Sequence, residues 1–398
     1  MKQLERLISV ISIIFGWLLV VPVSLLVPKK KGLYVFIGRD AAYYSDNTKY
    51  FNNYLLSQSY KKAYFVFETK NAMTKSVPNA VFYPSWRAVF LLMRADYLIV
   101  DTSTWFYNFK SFFAIKAAKI QLWHGVSSKK IELDTDQFTK SKWGFLRKYY
   151  GILRGQFPNY KLIASTSDYY SEHLYKNAFR HKSILPIGQS RNDIFFRELN
   201  DEDFINADKN LLDRLIRHAK NEKAKIVLYT PTYRSHLSMD FIDFAQMNQF
   251  CKENKLFVVL KYHILSPVPD TKNLSNVFIY DKSKDVYPLM KICDVMITDY
   301  SSIYIDYLMT NRPVIFFIPD FEAYQKQEVG LRADFYETAP GEKCNNQSDL
   351  EIALNDCING KDDYQAAREK ILNLSFTYRD GKSSERLFAK LRNECRIS

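Results

Sequence analysis

Two strings about 175 residues apart hold the side chains of this chain best suited to chemistry. They are Trp123-His124-Gly125 at the end of an apolar run and Asp299-Tyr300-Ser301-Ser302 between a strand-like and a helix-like segment. An imidazole takes up a proton near neutral pH. A Ser that opens a helix offers a phosphate its hydroxyl, the free N–H groups of the first turn and the positive end of the helix dipole. Together the strings fit one cleft facing a nucleotide diphosphate. Asp-x-Ser-Ser alone also fits an ordinary helix cap that binds nothing, so its weight depends on its company.

That company lies at the ends of other strand-like runs. Ala118-Lys119-Ile120-Gln121-Leu122 delivers His124 to the end of a strand, where open parallel α/β sheets place ligand groups, and Gly125 lets the backbone turn sharply there. Only six His occur, yet a second, His263, closes the similar run Leu256-Phe257-Val258-Val259-Leu260-Lys261-Tyr262. A third run, Ile226-Val227-Leu228-Tyr229, enters a turn fixed by Pro231 that presents Thr232 and Arg234. Arg suits phosphate oxygens because its planar fork donates several N–H bonds and stays charged. A fourth, after Leu185-Pro186-Ile187-Gly188, presents Arg191 and Asp193. Each taken singly is compatible with a plain surface turn; the joint pattern points to a site.

The elements that must position these groups alternate in type. Strand-like runs at 33–37, 63–67, 97–100, 120–123, 162–165 and 183–185 interleave with helix-like stretches, and a second series follows at 226–229, 257–261, 277–280, 295–298 and 314–317. Within the second, 293–298, 299–302, 303–309 and 314–317 read as buried strand, tight loop, helix and buried strand, with Ser301 or Ser302 as N-cap. Such alternation implies parallel sheets with helices on both faces. The expected fold is therefore α/β, with two Rossmann-like domains and a central cleft, preceded by a hydrophobic membrane-associated helix. The expected boundaries are 1–31 for the anchoring segment, 32–193 for the first domain and 194–398 for the second, whose last helix near 383–394 is placed to pack across the cleft.

With 398 residues, 47% of them hydrophobic and 16% aromatic, the chain is long enough for two full cores and is neither disordered nor low-complexity. A net charge of +13 fits an anionic partner. No ribonucleoprotein string, zinc spacing or long basic helix is present, so nucleic acid is not expected as that partner. Five Cys without Cys-x-x-Cys spacing read as reduced cytosolic thiols. No obligatory metal is expected in the site.

Leu7 to Val27 carry no charge, a helix length of about 32 Å, near one bilayer core. Pro22 interrupts the run and Lys29-Lys30-Lys31 follow it. A spanning anchor, a monotopic anchor bent at Pro22, a signal peptide and a buried core helix all compete. The favoured reading is monotopic: Trp17 suits an interface, and each Lys adds about 1 kcal/mol on anionic headgroups. No small-x-small cleavage site supports a signal peptide. The basic, aromatic-rich stretch 129–157 fits either an acceptor-side or membrane-facing insertion or a solvated surface.

The order of these motifs resembles the CDP-glycerol glycerophosphotransferase family, the enzymes that prime or polymerise teichoic acids and related polymers. The matching strings are Trp123-His124-Gly125, Gly188 to Asp193, Pro231-Thr232-Tyr233-Arg234, His263 and Asp299 to Ser302. Weaker echoes are Asp46-Asn47-Thr48-Lys49-Tyr50, Glu337 to Gly341 and Asp380 to Arg386, so the likeness covers about residues 33 to 390. Ser127, Ser190 and Ile264 stand where the family commonly has Pro, which removes rigid rings from loops but no reactive side chain.

The resemblance implies a two-Rossmann, B-type glycosyltransferase architecture, with an acceptor-side first domain and a donor-binding second one. It implies a transferase in which an acceptor hydroxyl attacks the β-phosphorus of CDP-glycerol or CDP-ribitol and expels CMP, with no further cofactor. His124 is then the base and His263 acts on the leaving side, roles that the sequence alone leaves interchangeable. Donor binding falls to Thr232, Arg234, Asp299, Ser301, Ser302, Arg191 and Asp193, with Ser383 and Arg386 as C-terminal contributors. The implied partners are a lipid-linked acceptor and the cytoplasmic face of the cell membrane; the oligomeric state stays open. A nucleotide-sugar transferase of the same architecture and a catalytically inactive polymer-binding subunit are the alternatives.

Overall fold

The computed structural model describes residues 2–70, 76–106, 109–126, 130–234, 241–327 and 335–397. Two compact units divide the chain: residues 1–124, 130–196 and 376–398 form the first, and 125–129 with 197–375 the second.

The first unit is built on a seven-stranded sheet of β1 (Tyr34–Ile37), β2 (Ala63–Phe67), β3 (Ala80–Phe82), β4 (Tyr97–Val100), β5 (Ala118–Gln121), β6 (Leu162–Ala164) and β7 (Ile184–Leu185). All neighbours are parallel and the order is β3-β2-β1-β4-β5-β6-β7. Every residue of β1 (YVFI) and β4 (YLIV) is buried, as expected of central strands covered on both faces. Chain order reverses between β1 and β4, and at such a switch point the loops leaving the strand ends open a crevice.

The C-terminal helix, Ser383–Ile397, also belongs to the first unit. Its Phe388 ring lies 5.6 Å from Tyr60 and 6.1 Å from Tyr54, and the Tyr97 hydroxyl donates to the Leu391 carbonyl at 3.0 Å. The first unit is therefore discontinuous in sequence.

At the N-terminus, α1 (Lys2–Phe15) passes through a π turn at Gly16–Val20 into α2 (Val21–Leu26). Among the described residues no helix is long and apolar enough to cross a membrane, which corrects the spanning alternative. The physical reasons are local. Pro22 sits in the first turn of α2, and part of the segment is already used by protein. Val20 and Val21 pack with Phe112, a Cβ on Gly16 would meet the Phe112 ring at 2.1 Å, and Trp17 Nε1 donates to the Leu153 carbonyl at 2.8 Å. Leu153 ends α4 (Gly144–Leu153). Other side chains of this surface, including Ile11, Ile14, Leu18 and Leu26, are exposed.

The second unit repeats the scheme with β8 (Lys225–Thr230), β9 (Leu256–Leu260), β10 (Val277–Ile279), β11 (Val295–Thr298), β12 (Val314–Phe317) and β13 (Glu342–Cys344). The order is β10-β9-β8-β11-β12-β13, again parallel throughout, with the reversal between β8 and β11. Val227, Val258, Ile297 and Phe317 form its core with Met247, Leu350 and Leu354 from covering helices. After β11 comes α5 (Ile303–Tyr307), extended by a 3-10 turn, Leu308–Thr310, that Asn311 ends in a left-handed conformation.

Candidate active site

His124 follows β5, and the turn that carries it is built differently from the simple strand end that the sequence suggested. β5 stops at Gln121, and Trp123 takes a left-handed φ of 52°. Gln121 Oε1 accepts the Trp123 N–H at 3.0 Å, and the Trp123 carbonyl accepts Asn47 Nδ2 at 2.7 Å. The half-buried imidazole lies against the Trp123 ring, 4.1 Å between centroids, and its Nδ1 is 2.9 Å from the Asp101 carbonyl. A carbonyl oxygen only accepts, so in the neutral ring Nδ1 carries the hydrogen and Nε2 the lone pair. Burial holds the His124 pKa below the ordinary imidazole value, against the opposing pull of Asp46. The ring is thus neutral and able to accept a proton at neutral pH.

Asp101 directly follows β4, and Asp46 begins the helix that comes after β1, the two strands at the switch point. The weak echo Asp46 to Tyr50 begins α3 (Asp46–Ser57), and its first three residues have partners near His124. Arg191 Nη1 donates to Asp46 Oδ1 at 2.6 Å, the Arg191 N–H donates to Asn47 Oδ1 at 3.1 Å, and Thr48 Oγ1 donates to Asp101 Oδ2 at 2.8 Å. Burial raises the Asp46 carboxyl, but Arg191, His124 and hydrogen bonds from Arg191 and Asn47 outweigh it and leave the pKa below the usual value. Asp101 is the reverse case: burial and the Asp46 charge push its carboxyl well above the carboxylate range. Asp46 entered the sequence reading only as part of a weak echo and Asp101 not at all, although Asp101 directly follows a buried strand, the signal that drew attention to the histidines.

Asp193 is tied to the C-terminal helix. Its Oδ1 and Oδ2 accept the N–H groups of Ser383 and Ser384, each at 2.9 Å, so it caps the C-terminal helix from a distant loop. Arg386 in that helix donates through Nε to the Ile187 carbonyl at 3.0 Å and through Nη1 and Nη2 to Asp380. Gly188, at φ 90°, lets the Ser383 side chain approach: a Cβ there would meet Ser383 Oγ at 2.3 Å. These contacts make Asp193, Ser383 and Arg386 a clasp within the first unit. Arg191, by its pair with Asp46, lies in the first unit with His124.

The second unit gathers Thr232, Arg234 and Asp299 into one network. Asp299 accepts the Thr232 N–H at 2.9 and 3.0 Å, the Thr232 hydroxyl at 2.5 Å, and Arg234 Nη1. Arg234 is buried and also holds Asp320, Nε to Oδ2 at 3.0 Å and Nη2 to Oδ1 at 3.1 Å, beside the Tyr300 and Tyr324 rings, which stack on each other. Burial opposes the charge, but Asp299 and Asp320 outweigh it and raise the guanidinium pKa. In this structure the one cation faces two carboxylates and braces the loop after β8. Asp320, which follows β12, escaped the sequence reading.

Ser302 is the N-cap of α5 by position, yet its side chain makes no capping hydrogen bond, and Ser301 Oγ accepts the Ile303 N–H only at 3.5 Å. With five residues, α5 also has a smaller dipole than the longer helix expected. Both Ser side chains are partly exposed beside Asp299. His263, three residues beyond β9, receives the Leu265 N–H on Nδ1 at 3.3 Å and has the Tyr233 ring 5.7 Å away, next to the braced loop.

The chain is 28% identical over 383 residues to a teichoic acid glycerol-phosphate transferase of Staphylococcus aureus, covering 90% of this chain and 92% of that one. It is 30% identical over 243 residues to a teichoic acid poly(glycerol phosphate) polymerase of Bacillus spizizenii, covering 56% of this chain and 57% of the polymerase. Among solved structures, a variant of the wall teichoic acid polymerase TagF soaked with CDPG superposes with a TM-score of 0.78 at 21% identity, over 100% of this chain and 97% of that one, a likeness of fold. Residues 19–393 match the family described as CDP-glycerol:poly(glycerophosphate) glycerophosphotransferase, and this chain, a transferase, belongs to it.

Proposed function

We propose that the chain transfers glycerol phosphate, or a similar polyol phosphate, from a CDP-activated donor to a hydroxyl of a lipid-linked acceptor, in the synthesis of teichoic acid or a related surface polymer. The observation that carries this reading is His124, whose Nδ1 is tied to a main-chain carbonyl and whose Nε2 therefore bears the lone pair. In the reaction the acceptor oxygen bonds to the β-phosphorus, its proton passes to His124 Nε2, and the bridging P–O bond breaks with its electron pair leaving on CMP. Such a step asks the protein mainly to position groups and neutralise charge. The Ser301 and Ser302 hydroxyls and the N–H groups around them are assigned to the donor phosphates, and His263 to the leaving side.

The test is to incubate the full chain with CDP-glycerol, or with CDP-ribitol, and a lipid-linked acceptor, and to identify the nucleotide released. CMP with extended lipid is the expected result and names the donor. Release of CDP from a nucleotide sugar instead would make the chain a sugar transferase.

The same reading places the chain at the cytoplasmic face of the cell membrane, attached as a monotopic protein. Its support is the exposed apolar surface of α1 and α2, tied through Trp17 to α4, where Phe145 is 77% exposed and Trp143, Leu146 and Tyr149 are more than half exposed beside Arg147 and Lys148. Apolar rings interleaved with Lys and Arg suit a headgroup boundary. Phe145→Glu with Leu146→Glu is expected to reduce co-sedimentation with phosphatidylglycerol vesicles at least tenfold. Undiminished binding of that variant would remove α4 from the contact.

A further inference from the structure

We propose that Asp46, held by Arg191, is a positioning residue that sets the proton affinity of His124. This deepens the functional reading above and rests on it for its catalytic meaning.

Three features of the geometry carry it. First, Asp46 begins α3 with φ at 61°, a left-handed conformation that a residue with a Cβ seldom adopts. The contacts around it explain why it is held there: its Oδ1 receives the Arg191 guanidinium at 2.6 Å and the Asn47 N–H at 2.8 Å. Second, the two residues after Asp46 lock the turn that carries the imidazole. Asn47 Nδ2 reaches the carbonyl of Trp123, the residue before His124, and Thr48 reaches the carboxyl of Asp101, whose main-chain carbonyl fixes His124 Nδ1. Third, Asp46, Asp101 and His124 follow β1, β4 and β5, the strands at and next to the reversal of order in the first sheet. A sheet of this kind gathers functional groups there.

The charges that face the ring come from four elements. Asp46 lies on α3, Arg191 in the turn after β7, Arg39 in the turn after β1, and Asp101 at the end of β4. Burial, Arg39 and Arg191 all disfavour an imidazolium, while the Asp46 carboxylate favours it. The Asp101 carboxyl, pushed well up by burial, supplies little charge and acts through its carbonyl. As the acceptor hydroxyl gives its proton to Nε2, positive charge develops on a ring that burial penalises. Asp46, whose carboxyl is ionised across the range where the ring titrates, is the group placed to offset that penalty, whereas the charge of Arg191 adds to it. Without the carboxylate the ring would still be held by Asp101, but it would be a weaker base.

The two members of the Asp46–Arg191 pair must therefore move His124 in opposite directions. The full chain, labelled with 13C-histidine, is titrated by NMR without substrate, and the His124 signal is identified by its loss in His124→Gln. Asp46→Asn is expected to lower the His124 pKa by about one unit, and Arg191→Gln to raise it. In steady-state assays with CDP-glycerol, the acid limb of kcat should shift to lower pH in Asp46→Asn, with kcat reduced and KM little changed. Asp46→Glu should restore part of both. A merely structural role for the pair predicts shifts of the same sign in both variants, or none, and either result overturns the proposal. If Asp46→Asn does not fold, Arg191→Gln decides alone: a pKa that stays or falls overturns it. Failure of the parent chain to turn over CDP-glycerol would sink the functional reading, while the substrate-free titration would still report what Asp46 does to His124.

Discussion

His124→Ala is expected to lower turnover by about 10²–10⁴-fold, the range for losing a general base, while KM for the CDP-activated donor changes little. The split follows from where the ring acts. Its proton transfer belongs to the transition state, whereas donor binding is assigned to the second unit, which lacks this residue. The pH profile provides an independent sign. A base must be unprotonated to work, so the rate falls as pH drops through the His124 pKa. Burial places that pKa below the ordinary imidazole value, so turnover should stay flat through neutrality and decline only on the acid side. Steady-state kinetics of the parent and variant from pH 5 to 9 check both points. A variant within tenfold of the parent would remove His124 from the role of base and leave His263 as the histidine to examine.

Much of the scaffold was legible because buried parallel strands leave continuous apolar runs. YVFI, YLIV, VMIT and VIFF stand out whatever surrounds them, and their alternation with helices implied the two sheets. The strands that went unread, β3 with AVF and β13 with EKC, are three-residue edge strands with a neighbour on one side only. An edge strand half in solvent needs no such run. The last helix was assigned to the second half by position in sequence. Its membership of the first unit depends on Phe388 finding Tyr54 and Tyr60, and on Asp193 capping Ser383 and Ser384 some 190 residues away. No local pattern encodes such pairings.

The site divides along the same line. Strand-end histidines were legible because His is rare here and the runs before them are clear. What each neighbouring charge does was not, since the meaning of an Arg depends on its partner. Arg191 and Arg234 look alike in sequence, each on a loop after a strand. One proves to be paired with Asp46, 145 positions earlier, and the other with Asp299 and Asp320, 65 and 86 positions later. Trp123, read as the last residue of a strand, instead adopts a left-handed turn, because Gln121 and Asn47 hold its N–H and carbonyl.

Arg234→Met is expected to destabilise the second unit by about 3–5 kcal/mol, since it leaves two buried carboxylates without their cation. For a unit of this size that corresponds to a fall of roughly 10 °C in its melting temperature, readable by calorimetry. Asp299 keeps Thr232, but among the described residues the Asp320 carboxylate keeps only the Tyr300 hydroxyl at 2.9 Å. Arg234→Lys should recover only part of the loss, because an ammonium cannot reproduce the planar fork that reaches Asp299 and Asp320 at once. A phosphate ligand would behave differently: Arg234→Met would keep its melting temperature and raise KM for the donor. If that second result were found, the guanidinium would have to exchange Asp299 or Asp320 for donor phosphate during the reaction. The expected result instead leaves the donor's charge to the hydroxyls and N–H groups of the Asp299–Ser302 loop, whose position Arg234 fixes from behind.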